Sequence, residues 1–373
     1  NGALFGIWAS RIPAVADRHD LEHSALGLLL LCLAAGAIAA FALAGTAADR
    51  FGAARVTRAI ALLYAISLVV IALTGSVAGL ALSLVLFGAA HGGMDVTMNA
   101  WGAEVDRHGK RPMMSSFHAM FSVGAGLGAA SGYFAAGFEV SVFLHFLVTS
   151  TVVTAISFAF ASIPWVASPA GKRRRGSVFA LPKGPLFFVG LVAFCSSLGE
   201  GAMADWSAIF LIAAADVTEA TAALGYAVFS GAMVAMRLAG DQIVRQFGAV
   251  RTARIGGVAS SVGTLLAVLG GSASVILTGF ALMGFGYAVI IPLAFSRAAN
   301  DPNIPPGAAI AGVATLGYGG LLLGPPLIGF AAEATSLRTA FLILSSLSCV
   351  IVVMAPALGQ TLKQGGGDAA SPT

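Results

Sequence analysis

From Asn1 onward, long apolar runs alternate with short polar breaks along almost the whole chain. Twelve runs are long enough to be considered as membrane spans, at residues 1–17, 24–48, 56–75, 77–102, 113–137, 140–165, 184–212, 221–240, 252–270, 273–296, 307–331 and 337–358. A helix needs about 20 apolar residues to cross a bilayer. Helix is the expected state, because backbone groups in lipid must pair within their own segment. The runs are continuous rather than short and alternating, which argues against an outer-membrane barrel. Most breaks are short. The exception, residues 166–183, contains Lys172, Arg173, Arg174, Arg175 and Lys183. This break predicts a six-helix bundle over 1–165, a basic linker over 166–183, a second six-helix bundle over 184–358, and a polar, disordered tail over 359–373.

Composition agrees with the pattern. The chain has 373 residues, of which 58% are hydrophobic and 10% charged, with mean hydropathy +0.92. Soluble domains carry about 25% charged residues, so a soluble globular enzyme is excluded. Disorder of the whole chain is excluded too, since it requires low hydrophobicity. The net charge of +4 does not point to nucleic acid, because the basic residues collect in alternate loops. Arg50, Arg55 and Arg58, then Arg107, Lys110 and Arg111, then Lys172–Arg175, then Arg245, Arg251 and Arg254 fall on one side. Asp17, Asp20, Glu22, Glu139, Asp216 and Glu219 fall on the other. The positive-inside rule makes the basic side cytoplasmic, and with it both termini. Lys172–Arg175 could contact anionic lipid, but retention of the linker inside already accounts for it. Cys32, Cys195 and Cys349 sit in separate apolar runs without redox or metal spacing. No basic region precedes the apolar start at Ala3, so no signal peptide is expected, and the first helix is expected to begin upstream of Asn1.

The two halves repeat. Asp49-Arg-Phe-Gly-Ala-Ala-Arg-Val-Thr-Arg58 matches Arg245-Gln-Phe-Gly-Ala-Val-Arg-Thr-Ala-Arg254 at an offset of 196 residues, and the same offset aligns Phe87-Gly-Ala-Ala-His91 with Met283-Gly-Phe-Gly-Tyr287. Trp8-Ala-Ser10 and Trp206-Ser-Ala208 also correspond, as the ends of helices one and seven. Parallel repeats about an axis along the membrane normal are the architecture of transporters that rock two halves around a site near mid-membrane.

At the basic end of the second span lies Gly45-Thr-Ala-Ala-Asp49-Arg50-Phe-Gly52-Ala-Ala-Arg55. It resembles the loop signature of the major facilitator superfamily, G-x-x-x-D-[RK]-x-G-x-[RK]-[RK]. It keeps Gly45, Asp49, Arg50 and Gly52, has Ala53 and Ala54 where a basic residue is usual, and resumes at Arg55. The second copy has Arg245 at the acidic position, with Gly240-Asp241 upstream. Trp8-Ala-Ser-Arg11-Ile-Pro13, Asp95-Val-Thr-Met-Asn99, Ser116-Phe-His118-Ala-Met-Phe and Glu200-Gly-Ala-Met-Ala-Asp205-Trp206-Ser are similar to the YbjJ-like bacterial branch, near the fucose permease-type sugar/proton symporters. The resemblance covers nearly the whole chain. It implies an all-α membrane protein of twelve spans in two pseudo-symmetric bundles, acting as a secondary transporter. It does not imply a substrate.

Ionisable groups inside spans are expensive, so each needs a partner or a polar cavity. His91, Asp95 and Asn99 are spaced four apart on one helical face, and His118 lies early in the next helix. A carboxylate shielded from water can take a proton near neutrality, and a histidine titrates there already, so this cluster is a proton-coupling candidate. The bland alternative is a fixed hydrogen-bond network. Glu200, between Gly199 and Gly201 and near mid-membrane, is the leading coupling residue. Arg11 and Asp205 lie at similar depths in repeat-related helices and are expected to pair as an outer gate. Otherwise Arg11 snorkels to the headgroups. Arg237 and Asp241 are expected to pair along their helix and, with Asp49, Arg50, Arg55, Arg245, Gly45 and Gly52, to form the inner gate. Trp8, Trp206, Tyr226, Tyr287 and Tyr318 are candidate cavity aromatics beside Arg11, Asn99 and Asp205, although packing accounts for any one of them. Gly124, Gly128 and Gly132 form a close-packing face. They have some likeness to the antiporter motif of drug exporters, but Ala129 stands where that motif has proline. Pro292, Pro325 and Pro326 should kink their helices.

No phosphate-binding glycine loop, metal cluster or nucleophile elbow is present in the sequence, so neither enzyme activity nor a cofactor is expected. The expectation is alternating access with proton-coupled symport of a small polar, sugar-like solute, by a monomer in a bacterial cytoplasmic membrane. The alternatives are a proton-driven exporter of amphipathic compounds, which would need a mostly apolar cavity, and a sensor that moves no solute.

Overall fold

The computed structural model describes residues 1–108, 114–163, 165 and 181–359, and all its regular secondary structure is helical. Lys110, Arg111, Lys172–Arg175, residues 360–373 and the His118 side chain lie outside the described residues. In chain order the helices are α1 (Gly2–Ser10), α2 (Ile12–Arg18), α3 (His23–Phe51), α4 (Ala53–Leu73), α5 (Val77–His108), α6 (Met114–Gly137), α7 (Val142–Ala161), α8 (Pro185–Ala215), α9 (Glu219–Phe247), α10 (Ala249–Leu269), α11 (Ala273–Tyr287), α12 (Ile290–Ala299), α13 (Pro306–Ala334) and α14 (Leu337–Met354). Eleven stretches are long and apolar enough to cross a bilayer, with α11 and α12 counted together. The pair α1 and α2 makes the twelfth span.

The first span is broken where one helix was expected. Pro13 has no N–H to give Ala9, and the chain turns tightly at Arg11, whose φ is −114° and ψ 9°. The tenth span breaks at Ala288–Val289 for the same reason, because Pro292 cannot donate to the Ala288 carbonyl. By contrast, α13 stays helical through Pro325 and Pro326. Several helices outrun their apolar stretches, α9 at both ends and α5 as far as His108. Apolar length marks the thickness of lipid, and the helix continues beyond it.

Helices α1–α7 form one bundle and α8–α14 the other. Within the first, α1 packs on α6, and α5 packs on α3 and α4; within the second, α8 packs on α13, and α10 on α11 and α14. The α1–α6 seam is made by glycines on both sides. A Cβ at Gly2 or Gly6 would run into the carbonyl of Phe121 or Ala125, and one at Gly128 into that of Ala3. The two bundles meet along α3–α13 and α6–α9. The offset of 196 residues relates these seams: Ser122 and Tyr318 are repeat mates, as are Phe41 and Arg237, and Gly27 and Ala223. Gly52 and Gly248, also mates, both end a helix with positive φ, 91° and 76°. That is the turn the repeated motif requires and that side chains resist. Trp8, Trp206, Phe87 and Phe280 are fully buried, whereas Leu62, Ile66, Leu73, Val152 and Ile156 face outward. An outward apolar surface of this kind suits lipid and not water.

At the basic end, Arg297 and Asp301 form a 3.0 Å ion pair with only 3% and 7% of their side chains exposed. Burial would raise the Asp301 carboxyl, but the Asn303 N–H and Arg297 outweigh it and hold the group below the usual carboxylate value. Asp301→Asn is expected to cost about 2 kcal/mol, read as a lower melting temperature in detergent. Because the folded carboxyl titrates below its unfolded value, the pair's contribution is fully present above about pH 4 and is lost as pH falls through the folded value. Equal melting temperatures for variant and parent at pH 7 would contradict this.

Candidate functional site

Between the bundles lies a cavity of about 260 Å³, lined by residues that include Asp95, Ser122, Glu200, Tyr226, Arg237 and Tyr318. Each bundle contributes one acid and at least one hydroxyl. From α5, Asp95 accepts a hydrogen bond from Asn99 Nδ2 at 3.2 Å and, across the seam, from Tyr318 Oη of α13 at 3.3 Å. From α8, Glu200 Oε2 pairs with Arg237 Nη2 of α9 at 3.5 Å, and Ser196 Oγ, one turn back, donates to Glu200 Oε1 at 3.3 Å.

Arg237 is a junction. Its Nη1 donates to Ser122 Oγ of the other bundle, and its Nε donates at 3.4 Å to the Ala288 carbonyl. That carbonyl is the acceptor that Pro292 leaves free. The proline therefore breaks the tenth span and at the same time fixes the guanidinium. Sequence spacing suggested that Arg237 would pair with Asp241. The pairing is instead with Glu200, and Asp241 is exposed. The contact across the seam obeys the repeat: Ser122 meets Arg237, and its mate Tyr318 meets Phe41, the mate of Arg237, with ring centroids 4.9 Å apart.

The remaining expected residues sort clearly. Tyr226 and Tyr318 both line the cavity, and Asn99 reaches it through Asp95. His91 does not join Asp95. It bonds Tyr64 Oη at 2.8 Å and packs on Phe5, inside the first bundle. Spacing of four places residues on one face, but α5 is gripped on that face by α1 and α4 at the level of His91 and lies open to the cavity at Asp95. Trp8 packs against Phe87, Trp206 against His23, and Tyr287 bonds Ser348 at 2.8 Å over Gly199. All three are fully buried away from the cavity. Asp49, Arg50, Arg55 and Arg245 are exposed, and no ion pair joins them among the described residues. Arg50 lies over the Phe51 ring. Gly45 lies within α3, and Gly52 joins α3 to α4. Ser122, Ser196, Ser197 and Ser230 went unremarked in the sequence, where small hydroxyls inside spans are commonplace; only Ser196, four residues before Glu200, gave a spacing signal.

At the end opposite the basic loops the bundles are closed. Arg11 Nε pairs with Glu219 Oε1 at 3.0 Å, and its Nη2 donates to the Val140 carbonyl at 3.1 Å. The expected Arg11–Asp205 contact is absent, and no hydrogen bond or ion pair reaches Asp205 among the described residues. Depth along the helices matched, but the break at Arg11 turns that side chain toward the start of α9. In sequence Glu219 read only as one of the acids of the loops opposite the basic ones; in the structure it lies in the first turn of α9. On the other seam His23 lies 4.0 Å from Glu333.

Residues 2–306 match the Major Facilitator Superfamily. The chain belongs to this superfamily. A Sinorhizobium fredii protein named as the uncharacterized transporter y4wD is 45% identical over 360 residues, covering 96% of each chain. An MFS-type transporter of Yersinia pestis is 35% identical over 342 residues, covering 91% of this chain and 88% of its own. Among solved structures, the nucleoside transporter NupG superposes with a TM-score of 0.72 at 15% identity, covering 96% of each chain. That likeness concerns the fold. As a major facilitator protein, the chain is a multi-pass membrane transporter whose twelve spans form two bundles around the cavity.

In a cysteine-free background with Ser10→Cys in the closed seam, Glu219→Gln should raise labelling by a membrane-impermeant thiol reagent several-fold. The Arg11→Glu, Glu219→Arg double swap should bring it back down. Unchanged labelling in Glu219→Gln would mean the pair does not hold that end shut.

Proposed function

We propose that the chain is a proton-coupled symporter of a small polar, sugar-like solute, working as a monomer by alternating access in a bacterial cytoplasmic membrane with both termini inside. The observation that carries this is the cavity. It holds two carboxyl groups, one guanidinium and several hydroxyls at the meeting of the bundles, and its volume lies below the 300–1,000 Å³ of drug-sized pockets. The rest of the lining is largely apolar, with Met98, Phe121, Phe229, Met233 and Phe295, but two carboxyls and a guanidinium in so small a space suit a hydroxylated solute better than an amphipathic drug. NupG is a nucleoside transporter, in keeping with a hydroxylated solute. Placement in the YbjJ-like branch near the fucose permease-type symporters belongs to the same reading.

Glu200 is the proton carrier, with Asp95 its counterpart across the cavity; His91 and His118 stay candidates for tuning Asp95, His91 only from a distance. Arg11 and Glu219 form the outer gate. The segment Gly45–Arg55, together with Asp241 and Arg245, forms the inner gate. Taking a proton would neutralise Glu200 and weaken its hold on Arg237, which also grips Ser122 of the other bundle. The charge change is thereby linked to the seam that must part.

In proteoliposomes with an imposed pH gradient, the parent should accumulate a hydroxylated solute, and Glu200→Gln should lose accumulation by at least tenfold while keeping solute exchange. Accumulation by Glu200→Gln at the parent's rate would remove Glu200 from the mechanism.

A further inference from the structure

Arg237 is the one cation among the described residues that line the cavity, and it is mounted in an unusual way. Its Nε is held by the Ala288 carbonyl and its Nη1 by Ser122 Oγ, so two of its three nitrogens are fixed from behind. The third, Nη2, is met by one oxygen of Glu200 at 3.5 Å, a long, single contact rather than the paired fork a guanidinium can make. Both side chains keep some exposure, 19% for Arg237 and 22% for Glu200. A fixed guanidinium with one loosely occupied edge toward a void is a carboxylate receptor in which an internal carboxylate occupies the place.

We infer that the solute carries a carboxylate, as in a sugar acid, and that this carboxylate takes the place of Glu200 on Arg237. This rests on the symport reading and narrows its substrate class. A neutral sugar cannot compete with an ion pair for a guanidinium, whereas a second carboxylate can, once a proton neutralises the first. Glu200 then carries the proton and Arg237 carries the anion. The charge inside the cavity is the same before and after loading, and one proton moves with one anion. Each ligand favours the other by the same factor, since the proton vacates Arg237 for the anion and the anion neutralises the guanidinium that otherwise holds the Glu200 carboxylate. The groups around Glu200 allow this exchange. Arg237 and Tyr226 face it from α9, Tyr287 lies within electrostatic reach from α11, Ser196 is on its own helix, and Asp95 with Tyr318 stands across the cavity. Among the described residues none of these except Arg237 is a cation, so Arg237 is the charged partner they offer an incoming anion. Ser122, Ser197, Ser230 and the two tyrosines also line the cavity, and a polyhydroxylated body can share their hydroxyls.

Two arms test the inference on the full chain. The first needs no knowledge of the natural solute. Glu200→Ala leaves Arg237 without its counter-ion, and sodium acetate at tens of millimolar should raise the melting temperature of this variant over a sodium chloride control by several degrees. The parent at neutral pH and the Glu200→Ala, Arg237→Gln double variant should not respond. No acetate effect on Glu200→Ala would overturn the anion site. The second arm follows proton-driven uptake in proteoliposomes of a hexose panel, each sugar offered as uronic acid, neutral sugar and amino sugar. Accumulation of a uronic acid, indifferent to membrane potential and reduced at least tenfold by Arg237→Gln, is the expected result. Accumulation of neutral or amino members with no uronic acid carried would overturn the substrate class while leaving proton coupling standing. No accumulation of any member would count against the symport reading itself, and the acetate arm would then decide the anion site separately.

Discussion

A charge placed within the thickness of a bilayer has to find its compensation inside the protein, and the layout of this transporter follows from where it does so. Arg237 is answered by a carboxylate, a hydroxyl of the opposite bundle and a backbone carbonyl. The carbonyl is free because Pro292, one turn on, has no hydrogen to offer it. A helix defect that lipid could not tolerate is thereby satisfied by a side chain, and that side chain is held at the seam between bundles. At the closed end Arg11 is answered by Glu219 and by the Val140 carbonyl. Here too a proline-induced break sets the direction of the arginine.

The two halves show how a symmetric scaffold carries asymmetric chemistry. Seam positions related by 196 residues meet in corresponding ways, yet Phe41 stands in one half where Arg237 stands in the other, and Ser122 where Tyr318 stands. The backbone repeat provides two equivalent surfaces that can part and close. The side chains then divide the work, with an aromatic contact beside Asp95 on one seam and an ion pair on the other. Small residues let the helices approach, as at Gly6 against Ala125, so a change at a polar group near the cavity is passed to neighbours with little slack between them.

Much of this was legible from the letters. The apolar runs set the number and order of spans, and the displaced repeat marked two bundles. The Gly52 and Gly248 turns were readable because only glycine is comfortable at their backbone angles. Glu200 and Asp95 stood out because an acid within a span is costly wherever it points. Each of these signals is local, one-dimensional or energetic, so it survives without coordinates.

Pairing was another matter. Arg11 met Glu219 and not Asp205, Arg237 met Glu200 and not Asp241, and His91 turned to Tyr64 while Asp95, one helical turn away, faced the cavity. Spacing along a helix says which residues share a face but not which neighbour covers that face at each level, and a proline's missing hydrogen shows only that a helix may break, not which side chain will answer the freed carbonyl. The chain alone determined that a few charged groups had to be met within the membrane. Only the packing of twelve spans decided by which partner, because that depends on the rotation and depth of helices far apart in sequence.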